Sequence, residues 1–555
     1  IKMKIINKII VLSIISSNII LGASLPNVNS GTIERQIQAP KIPFEQKQNV
    51  QIEGLQSDNL KSDISNKKIF IKDFSFVGNK AISSEELKNS INSYSNKELT
   101  YNQIQEVLSI VTKIYRDKGY FVARAYLEKQ DLLKNDNVLK ITIMTGSYGK
   151  FKLSNNSLAN SDVLQKILDD TKAENIISSE KIERALLLIN NRAGVKVFRA
   201  EISPGEEVGS SDFRIETSPT KKVDGYVVAD NYGSRYTGYN RLQALANINS
   251  PFNIGDKLTV SGLVSNGTDL KNGKLAYETP LLSNGLKANF AYSRTNYNLV
   301  KEYKALDADG NSNIYEVGLS YPVVLKNDES LYAKIKYYHK DFNDYMDNVK
   351  YEDKTVNSIV ASLDYTKNYF LGEFPSRLFS NINLTSGHLS NSSNVDDGRY
   401  NKIDAYVSNE IAFSEIFSFN QTLTAQKVLG HKNLDGSEDI SLGGAYGVRL
   451  YPDSEQSGEN GYVLNFELLS KLPNISSYYH KVGLFYDIGD VYAEKNQDTT
   501  FERKRLKDIG LGYYANYEDF FVRAQIAWNA NSDEVQSEDS SHKNSKLLLQ
   551  AGWVF

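Results

Sequence analysis

From residue 222 to residue 555 apolar and polar residues keep a period of two, and no helical pattern interrupts them. This constrains the fold more than any other feature. In SLYAKIKYYHK (330–340), Leu331, Ala333, Ile335 and Tyr337 share one face, while Tyr332, Lys334, Lys336 and Tyr338 share the other. DFFVRAQIAW (519–528) sets Phe520, Val522, Ala524, Ile526 and Trp528 against Arg523 and Gln525. YVLNFELLSK (462–471) sets Tyr462, Leu464, Phe466 and Leu468 against Asn465, Glu467 and Lys471. Side chains of a strand point alternately to its two faces, so every segment has one apolar and one polar side. A soluble sandwich shows the same period, and the alternation alone leaves both architectures open.

Three features favour a closed membrane barrel. About sixteen such strands fit into 221–555, roughly 21 residues for each strand and its connection, which suits spanning strands of ~9–11 residues. From the fifth strand on, connections tend to alternate in length. Those after even strands are short (SPFNIGD, TPLLSNG, LPNISSYY, YED), and those after the later odd strands run to about a dozen polar residues or more, the asymmetry of outer-membrane barrels. Finally, KLLLQAGWVF alternates into Trp553 and Phe555, as the closing strand of a barrel would. Thirty-five tyrosines against two tryptophans add a strand bias. No stretch after the N-terminal segment is apolar enough for a spanning helix, so a membrane form must be a barrel.

The N-terminal segment reads as a secretory leader over residues 1–24. Lys2, Lys4 and Lys8 precede an apolar run, Ile9–Leu21, and then Gly22-Ala23-Ser24. Residues 25–43 hold one short helical candidate, GTIERQIQ (31–38), ended by Pro40; residues 44–67 have no period and read as a linker. A different pattern begins at 68. IFIKDFSFVGN is a strand, SSEELKNSI and YNQIQEVLSIVTKIYRDKGY are helices with Ser caps and a terminal Gly119, and FVARAYL and VLKITIM are strands. Residues 148–220 repeat this β-α-α-β-β order, giving two tandem α/β modules, 68–147 and 148–220.

The charges exclude several function classes. A net charge of −3 with well-mixed signs lacks the basic face of a nucleic-acid binder. The absence of cysteine excludes disulfides and thiolate metal sites, and five scattered histidines have no ligand spacing. No metal, no cofactor and no catalytic residue is expected. Gly-rich 443–447 is followed by neither a helix nor Lys-Ser/Thr, so it is no phosphate loop, and scattered Asp and Glu form no convincing glycosidase pair.

Several stretches carry a family likeness. GTIERQIQAPKIP, IYRDKGYFVARAYLEKQDL, IERALLLINNRAGVKV with ISPGEEVGSSDF, and DNYGSRYTGYNRL with SPFNIGDKLTVSG resemble the two-partner secretion transporters, the haemolysin and filamentous-adhesin secretion proteins of the TpsB family, from about residue 30 to 555. The resemblance implies an outer-membrane β-barrel of about 16 antiparallel strands, preceded by two periplasmic α/β POTRA domains. Two positions depart from the family pattern, Thr145 for a glutamate and Ala193 for a proline.

The same resemblance gives a place to LGGAYGVRLYP (442–452), where the strand rhythm lapses for about thirty residues. It is similar to the family's long sixth extracellular loop, which folds into the lumen with an arginine at its tip; VGLFYDIGDVY (482–492) is similar to the facing strand. Carried over, Arg449 would contact Asp487, with Gly489 giving room for close approach and Gly443, Gly444 and Tyr451 shaping the loop. Within a wet lumen that charge-assisted bond is expected at the low end of ~1.5–3 kcal/mol. Ile33, Arg35 and Ile37 would belong to a plug helix, tethered by a linker spanning about 26 Å if flexible. Phe555 and Trp553 would signal barrel assembly.

The function so implied is secretion of a large, β-rich partner exoprotein of the adhesin or haemolysin type, unfolded in transit and recognised first by the POTRA domains. Outer-membrane lipid and the barrel-assembly machinery are the other expected partners. The alternative is a barrel-assembly insertase of the same superfamily; a passive porin or adhesin barrel does not explain the tandem modules.

Overall fold

The computed structural model describes residues 28–42, 50–54, 67–173, 176–392, 396–494, 503–531, 533–538 and 544–555. The expected leader and most of the expected linker lie outside the described residues. The first element is helix α1 (Ser30–Gln36), which starts one residue earlier and ends two residues earlier than the sequence suggests, leaving Ile37 at its C-cap rather than within it. Asn29 caps it: its side chain accepts from Thr32 N at 3.0 Å, and the Thr32 hydroxyl accepts from Asn29 N at 2.9 Å.

Two modules of one topology follow. The first comprises β1 (Lys68–Ile71), β2 (Asp73–Val77), α2 (Ser84–Ile91), β3 (Lys97–Thr100), α3 (Tyr101–Asp117), β4 (Arg124–Tyr126) and β5 (Val138–Met144). The second comprises β6 (Ser147–Asn155), α4 (Ser161–Lys172), α5 (Ser179–Asn190), β7 (Val195–Pro204) and β8 (Ser210–Pro219). Their sheets run β2-β5-β4 and β6-β8-β7; in each the central strand is parallel to the first named and antiparallel to the last. The strand expected over 69–79 divides at Lys72, because β1 pairs with β3 in a separate two-stranded sheet. Ile104, Val107, Leu108 and Val111 of α3 pack on Phe74, Leu139 and Ile141 of the first sheet.

The remaining sheet closes into a sixteen-stranded antiparallel barrel. Its strands are β9 (Val223–Asp230), β10 (Arg241–Asn249), β11 (Lys257–Ser265), β12 (Leu270–Pro280), β13 (Lys287–Asn298), β14 (Ala308–Leu325), β15 (Glu329–Met346), β16 (Val349–Leu371), β17 (Phe374–Asn391), β18 (Gly398–Ala412) and β19 (Phe417–Val428). Two short lumenal strands interrupt the series, β20 (Ile440–Ser441) and β21 (Ser457–Gly458), before β22 (Asn460–Lys471), β23 (Tyr478–Tyr492), β24 (Lys504–Tyr517), β25 (Phe520–Asn529) and β26 (Ser545–Val554). β26 pairs with β9 to close the ring, from Gln550↔Asp230 to Val554↔Tyr226, and Phe555 and Gly225 exchange backbone hydrogen bonds just beyond.

Ile335, Ile359, Leu363, Leu384, Leu484 and Leu511 point outward, each about half exposed, while Lys334, Lys336, Ser358, Ser362, Asn383 and Thr385 line the lumen. A predominantly apolar exterior around hydrogen-bonded strands without an edge is the form a bilayer demands. One expectation fails. The connection after the seventh barrel strand is only Asp347–Asn348, both with positive φ, as a two-residue hairpin turn requires. The polar residues there continue as strand, making β15 and β16 18 and 23 residues long.

The second module is fastened to the near end of the barrel through α5 and Arg192 just beyond it. Arg184 Nη2 donates to Pro322 O at 2.6 Å, Arg192 Nη2 to Leu282 O at 3.1 Å, and Glu183 Oε1 accepts from Asn327 N at 2.7 Å. Leu282 and Asn327 lie at two short turns and Pro322 near the end of β14, so that end of the barrel carries the modules.

Candidate functional site

Residues 429–459 leave the far rim after β19 and fold back into the lumen, held as a hairpin by β20 and β21. At the tip, Gly444 N donates to Tyr451 O and Val448 N to Leu442 O, at 2.9 and 2.8 Å. A Cβ at Gly443 would lie 1.9 Å from Pro452 O, and Gly444 has φ +99°, so this turn admits only glycine at both positions.

The tip lies across the strands, and successive loop residues meet successive strands along one rung. Asn465, Asp487, Asp508 and Asn529 are register partners from β22 to β25. Asn465 Nδ2 donates to Gly447 O at 2.8 Å. Arg449 Nε lies 3.2 Å from Asp487 Oδ2. Leu450 N donates to Asp508 Oδ2 at 2.6 Å, and Tyr451 OH stands 3.4 Å from Asn529 Oδ1. The guanidinium also reaches Glu467 Oε1 at 3.4 Å and stacks 3.9 Å from the centre of the Phe485 ring.

Both members of the Arg449–Asp487 pair are out of water, with side chains 8 % and 0 % exposed. That differs from the wet lumen expected from sequence. Leu442, Val448, Leu450 and Tyr451 pack on Val463, Phe485, Leu506 and Ala527, excluding solvent from the tip. Of the residues singled out from sequence, Arg449 and Asp487 meet. Gly489 lies beneath Leu442, whose Cδ2 is 2.7 Å from where a Cβ would stand. Tyr451 does not join the pair; its hydroxyl donates to Asp533 O at 2.6 Å. Sequence reasoning missed Glu467, Phe485 and Asp508. Phe485 precedes Asp487 by two, so the strand period alone places it on the same face.

The other arm of the loop binds a second sector of the wall. Lys354 Nζ lies 2.9 Å from Asp435 Oδ2, and Glu438 receives Lys340 and Lys402 at 2.8 and 2.9 Å. The loop therefore bridges the lumen from β15–β18 to β22–β25. Helix α1 lies against this bridge: Gly31 faces Ser437, and Arg35 Nη1 donates to Gly436 O at 2.7 Å. Ser30 N and Oγ both donate to Asp344 at 2.8 Å, and Glu34 Oε2 accepts from Thr295 and Ser312 at 2.7 and 2.8 Å. Ile33 is wholly buried among Tyr236, Leu270, Tyr297 and Ala308, with Ile37 at the edge of that cluster. Residues 37–42 then descend the lumen, Lys41 passing Tyr446 and Ile42 packing on Tyr226, Val228 and Phe521. A charged cavity of about 380 Å³ remains beside Arg449, bounded by Glu467, Lys481 and Arg523.

At the barrel seam Trp553 lies between Phe520 and Phe555, with ring centroids 6.4 and 4.8 Å away.

The chain has established counterparts. Residues 209–513 match the family model described as haemolysin secretion/activation protein ShlB/FhaC/HecB, and residues 69–146 match the POTRA domain, ShlB-type. It is 25% identical over 465 residues to the heme/hemopexin transporter protein HuxB of Haemophilus influenzae strain 86-028NP, covering 81% of each chain. Its fold is similar to that of CdiB from Escherichia coli, with a TM-score of 0.74 and 20% identity over 90% of this chain and 93% of that one. BamA from Haemophilus ducreyi lacking POTRA domains 1-3 is a more distant likeness, with a TM-score of 0.50 and 14% identity over 88% of this chain and 100% of that one.

Proposed function

The chain belongs to the haemolysin secretion/activation family ShlB/FhaC/HecB, outer-membrane transporters that secrete partner exoproteins, and from that premise we propose how its lumen is closed and opened. The barrel sits in the outer membrane with the POTRA region in the periplasm, so the loop descends from the outer face and the modules lie inside. Helix α1 is the resting plug, and Arg449 with Asp487 is the clamp that fixes the loop it rests on. The observation that carries this reading is the loop bridging the lumen with α1 seated on it.

The cargo arrives unfolded and engages the modules; α1 then withdraws and the chain passes the loop. Folding of the cargo outside draws it onward, and no catalytic step is assigned to any residue. The barrel-assembly alternative shares only the fold, while family membership is with the secretion transporters. Trp553 and Phe555, in ring contact at the seam, serve the barrel-assembly machinery as its signal, and the apolar exterior serves outer-membrane lipid.

The test is co-expression with a large exported protein encoded beside the gene for this chain, scoring its release from cells. Release that requires this chain, and that falls with Arg449→Ala while the barrel keeps its heat-modifiable mobility, is the expected result. Undiminished release from a folded Arg449→Ala barrel would overturn the clamp.

A further inference from the structure

The outward face of β24 changes character toward the far rim. Leu511 and Ile509 are apolar and about half exposed; Lys507, Arg505 and, just before the strand, Arg503 follow at the next outward positions. The residues between them turn to the lumen, where Lys504 meets Glu455, Leu506 joins the core of the loop tip and Asp508 accepts from Leu450. Strand pairing sets the neighbours. Ile509 lies between Tyr486 and Trp528, Lys507 is opposite Ile488, and Arg505 is opposite Asp490, which is itself opposite Tyr462. An aromatic and aliphatic belt therefore ends in a column of three cations, at the level where a barrel meets lipid headgroups.

Asp490 organises this column. Its two oxygens receive Arg503 Nε and Nη2 at 2.8 and 3.0 Å, and Oδ2 also receives Arg505 Nε and Nη2 at 3.1 and 2.9 Å. The carboxylate is 2 % exposed beneath the two guanidiniums, which are each more than half exposed. Arg503 also lies 5.2 Å from the centre of the Tyr492 ring, which Lys427 approaches at 5.5 Å while pairing with Glu494 at 2.9 Å. Among the described residues, no bond uses Nη1 of either arginine and the Lys507 ammonium has no partner, so one carboxylate faces three cations. Snorkelling explains single basic residues at a membrane rim. It does not explain two like-charged guanidiniums gathered on one buried carboxylate, with an unmatched ammonium one outward position below.

We propose that this column binds the phosphorylated headgroup of an outer-leaflet glycolipid of the lipopolysaccharide class. Arg503, Arg505 and Lys507 receive the phosphate, and the acyl chains lie along Ile488, Ile509 and Leu511. A guanidinium offers a planar fork that matches phosphate oxygens, and Asp490 holds both forks in position before the lipid arrives. The assignment goes beyond the secretion reading and needs only the barrel's place in the outer membrane. It also bears on the lumen. Ile488 and Lys507 adjoin Asp487 and Asp508, so a lipid bound outside ties together the two strands whose inner faces receive the loop tip.

The full-length chain in detergent is titrated with lipid A carrying two phosphates, with its fully dephosphorylated form and with inorganic phosphate. Bound lipid is read by native mass spectrometry, and the temperature of the heat-modifiable transition is read alongside. The phosphorylated lipid is expected to remain bound and to raise that temperature, since a ligand of the folded state stabilises it. The dephosphorylated form is expected to bind at least about tenfold more weakly, as the loss of charge-assisted hydrogen bonds implies. Lys507→Glu breaks no side-chain bond among the described residues and is expected to weaken lipid A binding by about the same factor, with the transition of the lipid-free chain unchanged. Arg503→Gln with Arg505→Gln is expected to weaken it further, whereas Arg294→Gln, on the outward face of β13, is expected to bind as the wild type does. Equal binding of the phosphorylated and dephosphorylated lipids, or of lipid A by the wild type and Lys507→Glu, would overturn the site. A stabilisation by inorganic phosphate equal to that by lipid A would overturn its assignment to a lipid. Each of these failures leaves the secretion reading intact.

Discussion

Arg449 sits where removal of one side chain strands several charges. Asp487 and Asp508 are fully buried on neighbouring strands, and Glu467 is nearly so. Breaking a buried pair by deleting one partner costs about 3–5 kcal/mol, since the remaining carboxylates keep their desolvation without a cation. Arg449→Ala should therefore free the loop tip, seen as new protease cleavage within 442–452 of a barrel that still shows heat-modifiable mobility. Arg449→Lys should not restore it. An ammonium is a point charge and cannot span Asp487 and Glu467 while stacking on Phe485. The glycines separate in the same way. A Cβ at Gly443 lies 1.9 Å from the Pro452 carbonyl, which is backbone, whereas one at Gly489 meets first the far end of Leu442 at 2.7 Å and the backbone carbonyl of Tyr462 only at 3.2 Å. Gly443→Ala should depress export well beyond Gly489→Ala, whose overpacking cost lies near or below the ~1–3 kcal/mol usual for a core insertion. Arg449 was visible in the sequence because it stands alone among glycines where the strand rhythm lapses. Asp508 was not, because it becomes part of the site only through register with Asp487, and register is set by pairing along the whole wall.

Helix α1 has seven residues, too few to persist in water on its own, because a helical nucleus is costly and so short a run does not repay it. Its helical form depends on the lumen that holds it, so on the proposed withdrawal it would also unwind. Asp344 holds its first turn through two bonds from Ser30, and the neighbouring wall fixes the carboxylate through the Tyr297 hydroxyl. Hydrogen bonds to a charged group contribute about 1.5–3 kcal/mol. Asp344→Ala should accordingly move the ratio of plugged to open channels at least about tenfold toward open in planar bilayers, approaching the conductance of a 31–38 deletion. No change in either variant would remove the plug assignment. The strand wall itself was legible from its alternation, and the helix from the punctuation of Pro40. The turn at Asp347–Asn348 was not foreseen, because polar residues beyond the apolar belt read equally as loop or strand. Ladder pairing with β14 and β17 decides for strand there.

Over the whole molecule, the loop is anchored on two sectors of wall and the helix rests between them. Asp435 and Glu438 hold one arm to Lys354, Lys340 and Lys402; Arg449 holds the other to Asp487; Arg35 and Gly31 of the helix lean on residues 436 and 437. If loop and helix form one body, loosening the loop already removes part of what holds the plug. Variants at the two ends should then be non-additive. Channel opening would be measured for Arg449→Ala, for Asp344→Ala and for the double variant. Independent elements predict free energies that add within about 0.3–0.5 kcal/mol, whereas a shared body predicts a shortfall of about 0.5–3 kcal/mol in the double variant. Arg449 and Asp344 have no common partner, so such a shortfall can arise only through the loop and the helix resting on it. Strict additivity would make the contact at 436–437 mere packing, and the plug could then leave while the loop stayed clamped. The cycle thus distinguishes a gate that opens in two separate movements from one whose release at either end loosens the other.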